Sequence, residues 1–364
     1  MTVRPQRGLD GINTYVPGKP LSELERELGI KDAIKLASNE NPYGVSPKAL
    51  AAMERALASG NMYPDGASYD LRLAVARHFG FDLDQTVVGN GADDIIQELS
   101  MAYLDDGDEV IVSRSSFPIY DIYTNAMRAK LIKTPLAPGY RIDLDAMRAA
   151  ITPRTRIVYV CNPNNPTGTM VTAAEVARFM ARVPDTAIVV LDDAYADMAD
   201  SPDFPDSFGY VREGRKNVVV LRTFSKVYGL AGIRIGYGFG HRETIAPLFK
   251  VKQAFNVNSI AQAAGIAALE DREFVRFTVA ENRKGRQYLC SQFRRLGLEY
   301  AESHTNFVLV RVGPNAGEVQ QGLLRAGVIV RPCAAYDLPE CLRVSIGTPA
   351  ENERFVAALE SLLR

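Results

Sequence analysis

Lys226 stands directly after Val218-Val219-Val220-Leu221-Arg222-Thr223-Phe224-Ser225, a run that reads as a buried strand, and Arg234 follows eight residues later. Desolvation and nearby cations lower the pKa of an ammonium, so a lysine in such a place suits Schiff-base chemistry. The plainer alternative is a surface lysine whose stem covers apolar neighbours. Ser225 and Arg234 could hold an anion beside it. A second run, Ala187-Ile188-Val189-Val190-Leu191, delivers the carboxylate of Asp192, followed by Asp193-Ala194-Tyr195. A carboxylate ending so apolar a segment needs a cation or hydrogen bonds. We therefore read Asp192 as functional and Asp193 as a solvated turn residue.

Other polar clusters follow other apolar runs. Gly89-Asn90-Gly91-Ala92-Asp93-Asp94 joins a strand to a helix. Free N–H groups at a helix N-terminus suit a phosphate, but taken alone this is a glycine turn with Asp93 or Asp94 stabilising the helix start. In Ser115-Ser116-Phe117-Pro118 the aromatic could stack on a planar ligand, and taken alone it is a core residue. Cys161-Asn162-Pro163-Asn164-Asn165-Pro166-Thr167-Gly168 is a rigid polar turn, with more side-chain amides than a turn requires. Cys161 reads as a small strand-end residue rather than a nucleophile.

These clusters need a scaffold. Helices are predicted near 47–59 and 68–79, then a short strand from Thr86 and a helix from Ala92. Strands at 109–113, around Leu131, and at 156–161, 187–193, 218–225 and 233–240 alternate with helices from about Pro118, at 143–150, at 172–183 and from about Arg242. Several strands are unbroken Val/Ile/Leu runs, as in a mostly parallel sheet covered by helices on both faces. Ligands of such sheets bind outside the carboxyl ends of the strands, where every cluster above lies. After about Phe255 the pattern changes. Residues 258–296 read as almost wholly helical. Strands at 306–312, 328–332 and 341–347 and a helix at 316–326 follow, and Thr348-Pro349-Ala350-Glu351 is a capping box for a last helix. The start is an arm rich in Pro and Gly, then a short amphipathic helix over 21–29 and an irregular polar stretch over 36–47. We expect an α/β protein: a large domain over 47–255 with a mostly parallel sheet, and a smaller α+β domain formed by 256–364 together with 1–46.

A chain of 364 residues exceeds the size at which one core stops growing. Apolar residues at 47% and charged residues at 23% exclude a disordered chain. Lys plus Arg (42) nearly cancels Asp plus Glu (43), so a net charge of -1 gives no reason to expect nucleic acid or an anionic membrane as partner. The cysteines Cys161, Cys290, Cys333 and Cys341 show no CxxC and no His at zinc spacing, so no metal site is expected. The start, MTVRPQRGLDG, has no apolar core of a signal peptide, and no apolar run approaches the ~18 residues of a membrane span. A cytoplasmic location is the expectation.

Taken together, the clusters resemble the aspartate-aminotransferase-like superfamily of pyridoxal-phosphate enzymes, fold type I. The Asn164-Asn165-Pro166-Thr167-Gly168 turn, Asp192 with Ala194-Tyr195, and Ser225-Lys226 with Arg234 occur in that superfamily's order and at its separations. Within it the chain is similar to the histidinol-phosphate aminotransferase family. The marks are Tyr15-Val16-Pro17-Gly18-Lys19-Pro20, Leu36-Ala37-Ser38-Asn39-Glu40-Asn41-Pro42, Tyr63-Pro64-Asp65-Gly66, Gly327-Val328-Ile329-Val330-Arg331-Pro332 and Leu342-Arg343-Val344-Ser345-Ile346-Gly347-Thr348-Pro349. Three places depart from the pattern: Asp193 stands where Glu is usual, Met62 where Arg is usual, and the loop Cys333-Ala334-Ala335-Tyr336-Asp337 lacks flanking glycines.

The resemblance implies a pyridoxal 5'-phosphate cofactor carried by Lys226, with Asp192 against the ring nitrogen. Asn165 and Tyr195 would hydrogen-bond the phenolic oxygen, and Phe117 would stack on the ring. Ala92 and Asp93 would offer backbone N–H groups to the phosphate, with Thr223, Ser225 and Arg234 completing the cup. Tyr63 would reach the phosphate of a neighbouring subunit, making the site a property of a homodimer. Tyr15, Asn39, Arg331 and Arg343 would contact substrate. The implied activity is amino transfer between histidinol phosphate and 2-oxoglutarate. An aromatic amino acid aminotransferase and, further off, a threonine-phosphate decarboxylase-type lyase are the alternatives. A regulator domain is disfavoured, since no DNA-binding domain precedes Tyr15.

Overall fold

The apolar runs become strands of two sheets. Strand β1 (Ile34–Leu36) comes first, then β2 (Thr86–Gly89), β3 (Glu109–Ser113) and β4 (Lys130–Thr134). A small hairpin of β5 (Leu136–Ala137) and β6 (Arg141–Ile142) precedes β7 (Thr155–Cys161), β8 (Ile188–Asp192), β9 (Val218–Thr223) and β10 (Gly236–Gly240). β11 (Glu299–Tyr300), β12 (Phe307–Arg311), β13 (Val328–Pro332) and β14 (Cys341–Ser345) close the series. The structure, a computed structural model, describes residues 3–10, 12, 14 and 18–363, so the expected contact Tyr15 lies outside the described residues.

The larger sheet has the order β2-β10-β9-β8-β7-β3-β4. Its strands run parallel except β10, which is antiparallel to both β2 and β9. β2, β3, β8 and β10 are buried along their whole length, as their unbroken apolar runs require. β4 is one of the two edge strands and carries exposed Lys130 and Lys133, which blunt edge pairing. The expected strand over 233–240 begins later, at Gly236, because Ala231–Ile233 is a 3-10 turn and Arg234 takes a left-handed conformation, φ 61°.

The smaller sheet has the order β1-β13-β14-β12-β11. β1 was not foreseen: three residues carry no readable period, and they pair in parallel with β13. Leu289, Phe293, Phe355 and Leu359 pack beneath it. The core of the larger sheet continues past the expected 255, taking in residues as far along as Val275 and Val279. Helix Ser259–Leu269 buries Ala261, Ala264, Ala268 and Leu269 in the core of the larger sheet. It comes so close that a Cβ at Gly265 would stand 2.8 Å from Ile235 and Leu71. The last helix is capped as expected, with Thr348 N–H and Oγ1 donating to Glu351 at 2.7 and 2.9 Å. Among the described residues no helix is long and apolar enough to cross a membrane.

Candidate active site

Parallel register brings three strand ends level, since Cys161 pairs with Asp192 and Asp192 with Leu221. Above them opens a cavity of about 300 Å³. Asp192 forms its floor and is buried. The Tyr120 hydroxyl donates to Oδ2 at 2.5 Å and the Ala194 N–H to Oδ1 at 3.1 Å. Burial pushes its carboxyl up to about 6, against the pull of those two bonds. Lys226 projects into the same cavity, its Nζ 5.5 Å from the centre of the Tyr195 ring. Burial, with the Arg343 and Arg234 guanidinium groups, pushes its ammonium down to about 8.

One wall has the chemistry that suits an anion. Helix Ala92–Tyr103 starts from Gly91, which has no side chain to cap it, and its first two residues, Ala92 and Asp93, line the cavity. Two glycines keep this wall open. A Cβ at Gly91 would stand 2.4 Å from Arg234 Nη2, and one at Gly236 would stand 2.3 Å from the Ala92 nitrogen. The left-handed turn at Arg234 brings its guanidinium here, 3.7 Å from Asp93. Thr223 and Ser225 lie on the same wall.

The smaller sheet supplies the roof. Arg331 on β13 stands directly opposite Arg343 on β14, and both line the cavity. Like charges placed opposite each other across strands are destabilising, and a shared anion relieves that. Arg343 donates to Asn165 Oδ1 through Nη1 and to the Ala37 carbonyl at 2.6 Å through Nη2. Its Nε is buried and has no hydrogen-bond partner among the described residues.

The cavity gathers Asn39, Ala92, Asp93, Phe117, Asn165, Asp192, Tyr195, Thr223, Ser225, Lys226, Arg234, Arg331 and Arg343. Tyr63 is not among them. It is 83% exposed, outside the cavity, with its ring stacked on Phe255 at 4.7 Å. Asn39 lines the wall, but its amide donates to the Tyr195 hydroxyl at 3.0 Å and accepts from Ser345 at 2.9 Å. Of the amides in the 161–168 turn, Asn162 and Asn164 tie the turn itself, to Val171 at 3.1 Å and Ser115 at 3.0 Å. Only Asn165 faces the cavity. Asp193 is a correction: it is not a solvated turn residue but 2% exposed, facing Arg222 on the far side of the sheet. Sequence reasoning also missed Tyr120, because an eight-residue helix does not reveal which side faces the strand ends.

The profile of the aminotransferase class I and II family matches residues 31–359. A histidinol-phosphate aminotransferase of Moorella thermoacetica is 47% identical, covering 97% of this chain and 91% of its own. One from Akkermansia muciniphila is 48% identical, covering 96% of each. The crystal structure of histidinol-phosphate aminotransferase from Sinorhizobium meliloti, in complex with pyridoxal-5'-phosphate, matches with a TM-score of 0.91 at 30% identity, covering 100% of this chain and 98% of that one. The chain belongs to the aminotransferase class I and II family and, within it, to the histidinol-phosphate aminotransferases. The α/β fold expected from the sequence stands.

Proposed function

We propose that the protein is a pyridoxal-phosphate-dependent transaminase. It moves the amino group of L-histidinol phosphate to a 2-oxo acid, 2-oxoglutarate in the first place, in histidine biosynthesis. The observation that carries this reading is one cavity in which Lys226 is faced by a buried carboxylate, an uncapped helix start and two opposed arginines.

The residues fit the cofactor. Ala92 and Asp93 N–H groups, Thr223, Ser225 and Arg234 would hold its phosphate, Asp192 its ring nitrogen, Phe117 its ring face, and Asn165 and Tyr195 its phenolic oxygen. When bound, the group supplies an electron sink for charge developing at the substrate's Cα. Lys226 would hold it; burial and two arginines lower its ammonium to about 8, so that its amine, once released by the incoming donor, is far easier to deprotonate than an ordinary lysine and can take the proton from Cα. Asp192 stays anionic above its pKa and holds a positive charge opposite. Arg331 and Arg343 grip the anionic end of each substrate in turn, since guanidinium forks suit both phosphate and carboxylate.

Replacing Arg331 by Gln tests the substrate. A dianionic phosphate gains more from a second cation than a carboxylate does. The kcat/KM for histidinol phosphate should fall on the order of 100-fold, and that for phenylalanine by less than about tenfold. Equal losses would mean that Arg331 does not read the phosphate. A wild-type preference for phenylalanine would move the enzyme to aromatic substrates.

The working unit in this reading is a cytoplasmic homodimer, with Tyr63 of each copy serving the phosphate of the other site. Its supports are the exposure of Tyr63, its platform on Phe255, and the 66% exposure of Met62 beside it; such apolar surface is typically covered by a twofold contact. Mixing inactive Tyr63→Ala and Lys226→Ala proteins should restore part of the activity through hybrid dimers with one intact site. A mixture as inactive as its components, or a fully active monomer in sedimentation, contradicts the shared site.

A further inference from the structure

We propose that Arg222 is a positioning residue of this site, a two-point clamp beneath the turn that carries Asp192 and Tyr195. The proposal rests on the transaminase reading above. Side chains alternate across a strand, so where Asp192 at the end of β8 faces the cavity, Asp193 faces the other side. Its N–H still donates to Leu221 of β9 at 3.0 Å. There its Oδ2 lies 4.0 Å from Nε of Arg222, the next residue of β9. Four residues further, on the 3-10 turn Ala196–Met198, Asp197 Oδ1 accepts from Arg222 Nη1 at 3.1 Å. One guanidinium thus holds both ends of the turn.

Between the two anchors, Ala194 and Tyr195 line the cavity. The Ala194 N–H orients the Asp192 carboxylate, and the Tyr195 hydroxyl accepts from Asn39. Slack at either anchor therefore displaces groups on the cavity side. The clamp itself is fixed: the Arg222 side chain is 13% exposed and lies 5.0 Å over the Phe208 ring. Its Nε has no hydrogen-bond partner among the described residues. At 4.0 Å the Asp193 carboxylate makes ion-pair contact but no hydrogen bond. Its other oxygen accepts from Ser207 Oγ at 3.2 Å. A merely structural buried ion pair, by contrast, would change stability and leave the cavity groups in place.

Asp197→Ala removes one anchor at a part-exposed position and leaves the Arg222–Asp193 contact. Arg222→Lys keeps the charge and loses the two-point grip. Both variants, as apoproteins, are titrated with pyridoxal phosphate and melted, and the holoenzymes are read by circular dichroism in the visible band and by kinetics. In both, the cofactor Kd should rise about tenfold, the induced dichroism fall by about half, and kcat fall about tenfold with donor KM within about twofold. Asp193→Glu, one methylene longer, should reach Nε and keep the wild-type Kd and dichroism. If both clamp variants melt earlier but bind cofactor with wild-type Kd and dichroism, Arg222 is structural only and the proposal is overturned. A wild-type apoprotein that binds no cofactor in the same titration overturns the transaminase reading, and the clamp with it.

Discussion

Lys226→Ala should lower turnover by at least about four orders of magnitude, because in the proposed mechanism the residue supplies both the covalent hold on the cofactor and the amine that moves the Cα proton. The rest of the cavity is untouched, so the variant should fold and still bind pyridoxal phosphate non-covalently. Borohydride treatment of the wild-type holoenzyme should fix the cofactor to one peptide, the one containing Lys226. A label on any other lysine overturns the assignment. A second effect has the opposite sign. Burial and two arginines push the ammonium from its ordinary 10.5 down to about 8. The unfolded chain thus holds this proton more tightly, and stability lost to the buried charge is full below pH 8 and regained as pH rises toward 10.5. The Lys226→Ala apoprotein should therefore be the more stable one at pH 7, by on the order of 1 kcal/mol after solvent screening. That advantage should fade near pH 10.5, as paired melting curves would reveal.

Much of the cavity was legible because its parts end apolar runs. Asp192 and Lys226 stand where buried strands stop, and a polar group there must have a partner. Asp193 was misread because the same alternation that sends Asp192 into the cavity sends its neighbour to the other buried face. The signal was present in Arg222, a charge inside Val218–Thr223 that also needed a partner, but pairing the two requires the register of β8 on β9. The opposed arginines were legible one at a time. That they face each other depends on the antiparallel pairing of β13 with β14.

The fold was legible where period and length agree. Unbroken Val and Ile runs gave the strands of the larger sheet, while their order, their register and the antiparallel direction of β10 had to come from three dimensions. Helix Ser259–Leu269 was assigned to the wrong core for a physical reason. It is apolar on all sides, Ala-rich, and so announces burial without naming the face it packs on. β1 has three residues and borrows its stability from β13, so no local preference marks it. Tyr63 lies at the limit of what one chain records, since its expected target belongs to a second copy.

Asp192→Asn should fold yet lose several kcal/mol of barrier lowering, on the order of 1,000-fold in kcat, because electrostatic complementarity dominates such sites. The amide can still hydrogen-bond the ring nitrogen but has no charge to keep it protonated. Activity within a few fold of wild type would remove Asp192 from this role. The pH dependence gives an independent check. Burial holds the Asp192 carboxyl at about 6 in the apoprotein, above its ordinary 3.8. The anion that attracts the protonated ring is therefore lost as pH falls through 6, and wild-type affinity for the cofactor should weaken over that window. In Asp192→Asn the affinity should be lower throughout and show no such step. Tyr120→Phe removes the 2.5 Å bond that favours the anion. The step should then move above pH 6, in the direction set by losing a hydrogen bond to the charged form. A step left in place in that variant would mean that the titrating group is not Asp192.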